Sequence, residues 1–298
     1  MLISEQFPTL LVPTIYHHLD IGMRNVPSMR SALFNVQGSN LAQENGVGLG
    51  GVATEMWDQY EASGTKGRMD FDELFTQTYT HVEYPVEVVI RKKLLINDQY
   101  GQIQKHIQKL GMSDETKMEK DAAKLFNLAF TGATWSDGVA LCSDSHPVKP
   151  GSSDTFDNNG TLALTHDNVS AVRVLMMRFA DDKGEEIGIV PDELWVPPEL
   201  EDTALEIVGS MQRSDNANNA TNTQAGRWTV HPWLRLTDTN AWFTSSSAHR
   251  KMAVNWYVRE AMQAMLTHET TTEFVYEVKL HYSYGVDDWR WVYGNNPS

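Results

Sequence analysis

The sequence predicts a fold of class α+β, in which several helices combine with long β-strands. Two segments, 76–90 and 274–284, alternate large apolar residues with polar ones, which is typical of half-buried strands. Three further segments, 97–131, 165–179 and 198–208, place apolar residues at helical spacing. A chain of 298 residues buries roughly three quarters of its unfolded surface, so we expect a core that needs neither metal nor disulfide.

Residues 1–50 are predicted to form an extended, sparsely packed arm. Pro8, Pro13 and Pro27 interrupt its short apolar clusters, and the glycine-rich run 46–51 closes it. Glycines in such a run are expected to stop any regular element. Two interpretations stay open, an arm that lies across a neighbouring molecule and a flexible terminus.

Residues 51–90 are predicted to form a long β-hairpin whose tip is the turn-rich, basic segment 62–68. Pro85 has no backbone donor, which favours a position at the edge of a sheet. An isolated hairpin of this length is not stable in water. We therefore expect it to lie on its own core or on another subunit.

A long helix is predicted over 97–131. Asn97 and Asp98 are suited to cap its start, and Gly111 is expected to end a first piece before Ser113 begins a second. The segment that follows, up to residue 164, is rich in turn residues and predicts loops.

The next third of the chain predicts short elements that alternate. Thr165 is suited to cap a helix, 194–196 predicts a short buried strand, and Pro198 is suited to begin another helix. Residues 211–226 are polar and rich in asparagine, so they predict a mobile surface loop. The period-two segment 274–284 then returns the chain to β-structure.

The charge of the chain excludes one class of function. With 24 Lys+Arg against 39 Asp+Glu, the formal net charge is −15, and nonspecific nucleic-acid binding requires cations that neutralise phosphates. The single cysteine, Cys142, allows no intrachain disulfide and favours a reducing compartment. We also expect no signal peptide and no membrane span, because no basic start or long apolar run is present.

Common catalytic signatures are missing from the sequence. It contains no GxxxxGK[ST], HExxH or GxSxG motif. Cys142 and His146 form the one cluster that could belong to a thiol site. Three pairs of acids, 181–182, 185–186 and 287–288, are interpreted as solvated faces. No catalytic, cofactor-binding or metal-ligating residue is predicted.

Tryptophan is abundant and spread over the whole chain. Its residues are suited to core packing or to contacts between proteins. The nine tryptophans are Trp57, Trp135, Trp195, Trp228, Trp233, Trp242, Trp256, Trp289 and Trp291.

Several separate motifs resemble those of Mu-like major head subunits of tailed bacteriophages. They are DGVALCSDSHP at 137–147, FADDKG at 179–184, IVPDELWVPPELE at 189–201, DTNAWF at 238–243 and YGVDDWR at 284–290. The resemblance covers roughly residues 50–298. It is fairly specific, because the order and spacing of unrelated pieces agree.

The resemblance implies the capsid fold shared by tailed phages and herpesviruses. The chain would then divide into an N-terminal arm (1–50), an extended loop (51–90), a peripheral domain with a spine helix (91–164), an axial domain (165–243) and returning peripheral strands (244–298). The implied function is that of a major capsid protein, not an enzyme. It would form pentamers and hexamers of an icosahedral or prolate shell around double-stranded DNA.

The resemblance also implies partners. They are copies of the chain itself, a scaffolding protein and a portal, with a decoration protein left open. DNA would be enclosed without sequence-specific contacts, and no membrane would be involved. The chain would be assembled in the host cytoplasm and reside in the virion. Because no long, charged helical segment precedes the arm, we expect a separate scaffold or prior cleavage.

Five residues are predicted to contact neighbouring subunits: Trp57, Lys66, Arg68, Trp289 and Arg290. Among them, Lys66 and Arg68 are expected to meet acids on a neighbouring peripheral domain. Two alternatives remain. One is the shell of an encapsulin-like protein compartment, and the other is a cytoplasmic enzyme that uses Cys142 and His146.

Overall fold

The computed structural model describes residues 7–49, 73–93, 101–132, 135–213 and 220–297. Its helices are α1 (Phe7–Arg24), α2 (Arg30–Leu33), α3 (Gln102–Asn127), α4 (His166–Met177), α5 (Glu201–Gly209) and α6 (Ser247–Ala253). A 3₁₀ turn, Pro198–Leu200, precedes α5. Within these ranges no helix combines the length and apolarity that a bilayer crossing requires.

Thirteen strands occur in the described ranges. They are β1 (Asn35–Gly38), β2 (Gln43–Leu49), β3 (Glu73–Thr80), β4 (Val82–Arg91), β5 (His146–Pro147), β6 (Thr155–Phe156), β7 (Asn159–Gly160), β8 (Glu193–Val196), β9 (Thr229–Pro232), β10 (Trp242–Ser245), β11 (Val254–Glu269), β12 (Glu273–Val286) and β13 (Val292–Asn295). Helix and strand are thus mixed along the chain, and the α+β prediction is confirmed.

The chain divides into two compact units. The first unit comprises Met1–Glu44, Tyr79–Ala122 and Trp256–Tyr284, and the second comprises Asn45–Thr78, Ala123–Asn255 and Gly285–Ser298. A four-stranded sheet has the order β1-β11-β12-β4, and a five-stranded sheet has the order β7-β13-β10-β8-β9. Two-stranded ribbons pair β2 with β3 and β5 with β6.

The period-two segment forms β12, which is the clearest confirmed strand prediction. Phe274, Tyr276 and Val278 are buried on one face, while the residues between them stay partly exposed. These side chains pack with residues of α1, α3 and β4 in a core of the first unit. Strand β4 lies at the edge of the sheet with Pro85 opposite Lys279, as the missing proline donor predicts.

The predicted extended conformation of residues 1–50 is wrong for Phe7–Arg24, which form helix α1. Proline in the first turn removes no helical hydrogen bond, and Pro13 is tolerated inside the helix. Ile15 and Leu19 are buried in the core of the first unit. Burial of this apolar stripe outweighs the local cost of the prolines.

The glycine-rich run also behaves differently from the prediction. Gly46 and Gly48 lie inside strand β2 and do not end it. A Cβ at Gly46 would collide with the carboxylate of Asp287. Glycine at position 46 therefore leaves the space inside strand β2 that the Asp287 side chain occupies.

Helix α3 is continuous through Gly111, so the predicted break at that position is wrong. A Cβ on Gly111 would collide with the backbone carbonyl of Leu19 in α1. Reciprocally, a Cβ on Gly22 in α1 would collide with the carbonyl of Gln108 in α3. The two helices cross backbone to backbone, and each requires a glycine at the crossing.

Alanine at either crossing glycine should destabilise the protein. We expect Gly22→Ala and Gly111→Ala to lower the free energy of unfolding by about 1–3 kcal/mol, because the opposing atoms belong to a backbone that must shift. Intrinsic helix propensity has the opposite sign and favours alanine by about 1 kcal/mol. Urea unfolding followed by circular dichroism measures the difference.

Gly209→Ala is the matched control, since a Cβ at the end of α5 would meet open space. It should be neutral or slightly stabilising. If all three variants change the free energy of unfolding by the same amount, the close backbone contact is not the reason for glycine at positions 22 and 111.

Buried acids on α3 hold the segment that precedes the first sheet. Glu119 accepts hydrogen bonds from the hydroxyl of Ser28 (2.7 Å) and from the backbone nitrogen of Arg30 (2.9 Å). The second bond supplies the cap that α2 lacks in its own N-cap side chain. Glu115 pairs with the Arg30 guanidinium at 3.2 Å, and that guanidinium also lies over the ring of Trp256.

Asp114 differs from these neighbours because its Oδ2 has no hydrogen-bond partner among the described residues, although Asp114 is buried. Burial raises the pKa of its carboxyl to about 6. The folded pKa thus exceeds the ordinary value of 3.8. Stability is therefore lost as the pH rises from about 4 to above 6, where the buried group ionises.

Asp114→Asn should stabilise the protein in a pH-dependent manner. At pH 8 we expect a gain of up to about 3 kcal/mol, because the variant has no carboxylate to ionise in the core. At pH 4 both side chains are neutral and the gain should largely vanish. Urea unfolding at the two pH values tests this, and an equal effect at both would contradict it.

The shorter elements of the second unit follow the predictions closely. Thr165 caps α4 by accepting from the backbone nitrogen of Asn168. All four residues of β8 are buried, and Pro198 opens the 3₁₀ turn that leads into α5. The segment between residue 132 and α4 contains only loops and two-residue strands in its described part.

The predicted surface loop 211–226 is only partly a surface loop. Asn222 and Gln224 are buried. Asn222 donates to the carbonyls of Ile207 and Ser210, each at 2.7 Å, and Gln224 accepts from the indole of Trp228. These amides are polar in the sequence, yet in the fold they satisfy buried backbone groups.

Candidate functional site

The second unit contains a buried ion pair. Glu193 at the start of β8 is bound by the Arg250 guanidinium of α6 through two bonds, at 2.8 and 2.7 Å. Ser245 of β10, which is in register with Glu193, donates to the same carboxylate at 2.7 Å and accepts from the indole of Trp195. His231 approaches to 3.7 Å. One carboxylate thus joins two strands and a helix.

The environment of Glu193 keeps this carboxylate charged. Burial by itself raises its pKa, but His231, Arg250 and Ser245 face the carboxylate and together lower the pKa to about 2. The folded pKa lies below the ordinary value of 4.5. This contribution to stability is therefore present above about pH 4.5 and is lost as the pH falls towards 2.

Aromatic rings pack next to this pair. They show whether the tryptophans serve core packing or contacts between proteins. Phe126 stacks on Phe243 with ring centres 4.4 Å apart, and it also contacts Trp195, Trp233 and Trp291. Seven of the nine tryptophans are buried, namely Trp195, Trp228, Trp233, Trp242, Trp256, Trp289 and Trp291. Trp135 is half-buried, and Trp57 lies outside the described residues. The buried tryptophans pack the core of their own chain.

Removal of either member of the buried pair should be strongly destabilising. Glu193→Gln or Arg250→Met leaves one uncompensated charge in the core, and we expect a loss of about 3–5 kcal/mol. Thermal unfolding at pH 7 measures it. Asp20→Asn, which breaks the exposed Arg24–Asp20 pair of α1, is the control and should stay within about 0.5 kcal/mol of wild type. A comparable loss in the control would contradict a special role for the buried pair.

The predicted contact residues are only partly visible. Trp57, Lys66 and Arg68 lie outside the described residues. Trp289 and Arg290 are described, and their exposed fractions are 7% and 8%. Their contact with a neighbouring subunit stays a prediction.

Trp289 and Arg290 take part in one cluster of the second unit. The Trp289 indole stacks on the His146 ring, with centres 4.4 Å apart. The Arg290 guanidinium lies over Trp289 and over Phe156, and it pairs with Asp288 at 2.8 Å. The structure therefore gives both residues contacts within their own chain.

Cys142 and His146 have structural partners and do not form a pair. Burial raises the pKa of the Cys142 thiol far above its ordinary value, which disfavours the nucleophilic thiolate. His146 is buried between Asp137, which contacts its Nδ1, and Asn158, whose Oδ1 lies 3.1 Å from its Nε2. Asn158 also donates to the carbonyl of Leu141. This arrangement fastens a loop and does not resemble a thiol site.

The three acid pairs meet in one groove of the second unit, although they are far apart in sequence. Asp181–Asp182 and Glu185–Glu186 come from the turn after α4, and Asp287–Asp288 follow β12. The groove, which we call the acid-lined groove, has a volume of about 530 Å³. Its other lining residues are Val47, Gly48, Leu74, Ile187, Ile189, His249, Met252, Ala253, Arg290 and Trp291.

The sequence analysis interpreted these acids as separate solvated faces and did not predict that they line one groove. Local spacing gives no sign that positions 181–186 and 287–288 converge, because the long β11–β12 segment lies between them. In the described part of the chain, no group of three or more His, Cys, Asp or Glu side chains has the geometry to hold a metal ion. The groove is instead an anionic concave surface with apolar residues among its lining.

Solved structures place this architecture in a known class. A chain from Microbacterium phage Oxtober96 matches with a TM-score of 0.54, at 14% identity over 92% of each chain. The capsid of bacteriophage JBD30, decorated with minor capsid protein trimers, matches with a TM-score of 0.53, at 16% identity over 70% of this chain and 92% of that one. The holo-SrpI encapsulin complex of Synechococcus elongatus PCC 7942 matches with a TM-score of 0.52, at 10% identity over 92% and 89%.

The fold is therefore that of tailed-phage major capsid proteins, which encapsulins share. A comparison with curated proteins gave no match. A family model described as phage capsid protein matches residues 77–295. The chain belongs to the phage capsid protein family, and its function is that of a major capsid protein.

Proposed function

We propose that the chain assembles as pentamers and hexamers into an icosahedral or prolate shell that encloses the double-stranded DNA of a tailed phage. The observation that carries this proposal is the family match over 77–295 together with the capsid fold of both units. Assembly takes place in the host cytoplasm, and the product is part of the virion. A scaffolding protein and a portal act as partners, and a decoration protein is a third candidate.

The five-segment organisation is part of the same proposal. Residues 1–50 act as the arm and 51–90 as the extended loop, and both contact adjacent subunits. Residues 91–164 and 244–298 form the peripheral domain, and 165–243 form the axial domain at the five- or six-fold axis. Because Phe7–Arg24 of the arm form helix α1, part of the arm is already folded when it contacts an adjacent subunit.

The net charge supports a shell that does not bind the packaged DNA tightly. At −15 the subunit repels phosphates, so packaged DNA is not retained by ionic contacts. The same charge makes the copies repel one another. Their association must therefore depend on interlocking surfaces and local charge complementarity.

An encapsulin-like compartment is the second candidate, because the SrpI encapsulin shares the fold. The two candidate functions predict different contents for the particles. Particles from infected cells should contain double-stranded DNA if the chain is a phage capsid protein. A protein cargo without DNA would favour the compartment.

Shell formation is the direct test of the proposed function. The chain should be expressed alone and together with a scaffolding protein from the same phage genome, and examined by negative-stain microscopy. We expect closed shells of uniform diameter in at least one of the two preparations. If both give only monomers or small oligomers while circular dichroism shows folded protein, the proposal is wrong.

A further inference from the structure

Strand β4 lies at one edge of the four-stranded sheet, and among the described strands only β12 pairs with it. It is ten residues long, and its Val82, Val86 and Val89 are exposed by 48%, 44% and 52%. An exposed edge strand with apolar side chains is a template for pairing with a further strand. The outer edge of β4 is therefore a candidate surface for contact with another chain.

The pairing with β12 shows which backbone groups of β4 point outwards. Arg91 lies opposite Glu273, and the next residue, Lys92, donates its backbone nitrogen to the carbonyl of Thr272 at 2.9 Å. In an antiparallel pair, the backbone groups of successive residues alternate between the two sides of the strand. The odd-numbered residues from 83 to 91 therefore direct their amide and carbonyl groups away from β12. Pro85, which has no N–H, occupies one of these outward positions.

The charges at the outward positions are complementary to themselves. Glu87 and Arg91 lie two residues on either side of Val89, and all three side chains are exposed. Among the described residues, neither Glu87 nor Arg91 takes part in an ion pair. If two such strands pair antiparallel with Val89 opposite its own copy, each Glu87 faces the Arg91 of the other strand.

A like-charge pair within the chain favours the same contact. Glu87 lies directly opposite Glu277 of β12, and like charges at opposite positions of a sheet are destabilising. A guanidinium placed beyond the open edge, next to Glu87, would offset this repulsion. The sheet thus contains an unfavourable cross-strand pair that a cationic partner on the β4 edge would relieve.

We propose that two copies of this chain associate through their β4 edges, in an antiparallel pairing with a two-fold axis at Val89. Such a contact uses the same surface on both copies. Residue 89 pairs with its own copy and residue 87 with residue 91, and each of these pairs exchanges two N–H···O bonds. Pro85 lies opposite Lys93, where its missing donor ends the ladder.

The proposed contact joins the two four-stranded sheets into one continuous sheet. It goes beyond the proposed function, because it names a surface that recognises its own copy and gives the register of the pairing. It rests on the proposed function in one respect, since a shell holds copies of the chain close together.

Disulfide trapping tests the register. In Val89→Cys the two introduced thiols face each other at the axis, where paired residues have Cα atoms about 5.5 Å apart, a distance that a disulfide spans. The native Cys142 is buried, so the introduced thiols dominate the reaction. After mild oxidation of assembled protein and of concentrated free subunits, we expect a cross-linked dimer on non-reducing gels.

Val86→Cys is the matched control, because Val86 belongs to the same strand and its exposed fraction is similar, 44% against 52% for Val89. In the proposed register the two copies of residue 86 are about 20 Å apart along the strands. At least tenfold less dimer should therefore form. Equal trapping of the two variants, or no dimer from Val89→Cys, would overturn the inference.

Charge reversal provides a second measurement, made on chains that carry Val89→Cys. Glu87→Arg and Arg91→Glu each place like charges opposite one another in the contact, so each should lower the yield of dimer several-fold. A mixture of the two variants, one of them extended by a tag, places opposite charges in both pairs and should restore trapping as a mixed dimer. Asp202→Arg reverses an exposed acid on α5 and should leave the yield unchanged.

The folded state of these variants is checked separately. Glu87→Arg removes the repulsion with Glu277, so urea unfolding should show no loss of stability while the yield of dimer falls. Unchanged trapping in both single variants, or a mixture that does not recover it, would overturn the pairing and leave the proposed function intact. Absence of shells from the wild-type chain would instead contradict the proposed function, and trapping of free subunits would still decide the pairing.

Discussion

The bonds between Glu193 and Arg250 are the interaction on which the second unit depends. A buried carboxylate is unfavourable unless its oxygens are satisfied, and here a guanidinium and a serine hydroxyl satisfy them. Because Glu193 belongs to β8, Ser245 to β10 and Arg250 to α6, the pair fixes the register of the sheet together with the position of the helix. The aromatic cluster around Phe126 can then pack against one defined surface.

The sequence allowed much of this fold to be predicted wherever the determining forces are local. Pro85 indicated an edge strand because a missing donor is a property of one residue. Thr165 indicated a helix start for a similar reason, since its hydroxyl binds a backbone nitrogen three residues away. The alternation in β12 followed from burial of one face, which any strand on a core must show.

The failures share one physical cause, which is contact between residues distant in sequence. Gly111 was expected to end a helix, yet its role is to admit the backbone of α1. The candidate site was missed for the same reason. The acids at 181–186 and 287–288 were visible as charges, but only the fold shows that they line the same groove. Local spacing carries no information about such convergence.

The division of the first unit into three separate stretches has a consequence for the timing of synthesis. Helix α1 and the first part of α3 emerge early from the ribosome, but strand β12, which completes their core, ends near residue 286. At ordinary translation speeds, the interval between completion of residue 122 and residue 284 is roughly ten to thirty seconds. During that interval the apolar faces of both helices lack their sheet. A subunit therefore acquires its final surfaces only when nearly all of its chain has been made, which delays association until whole copies are present.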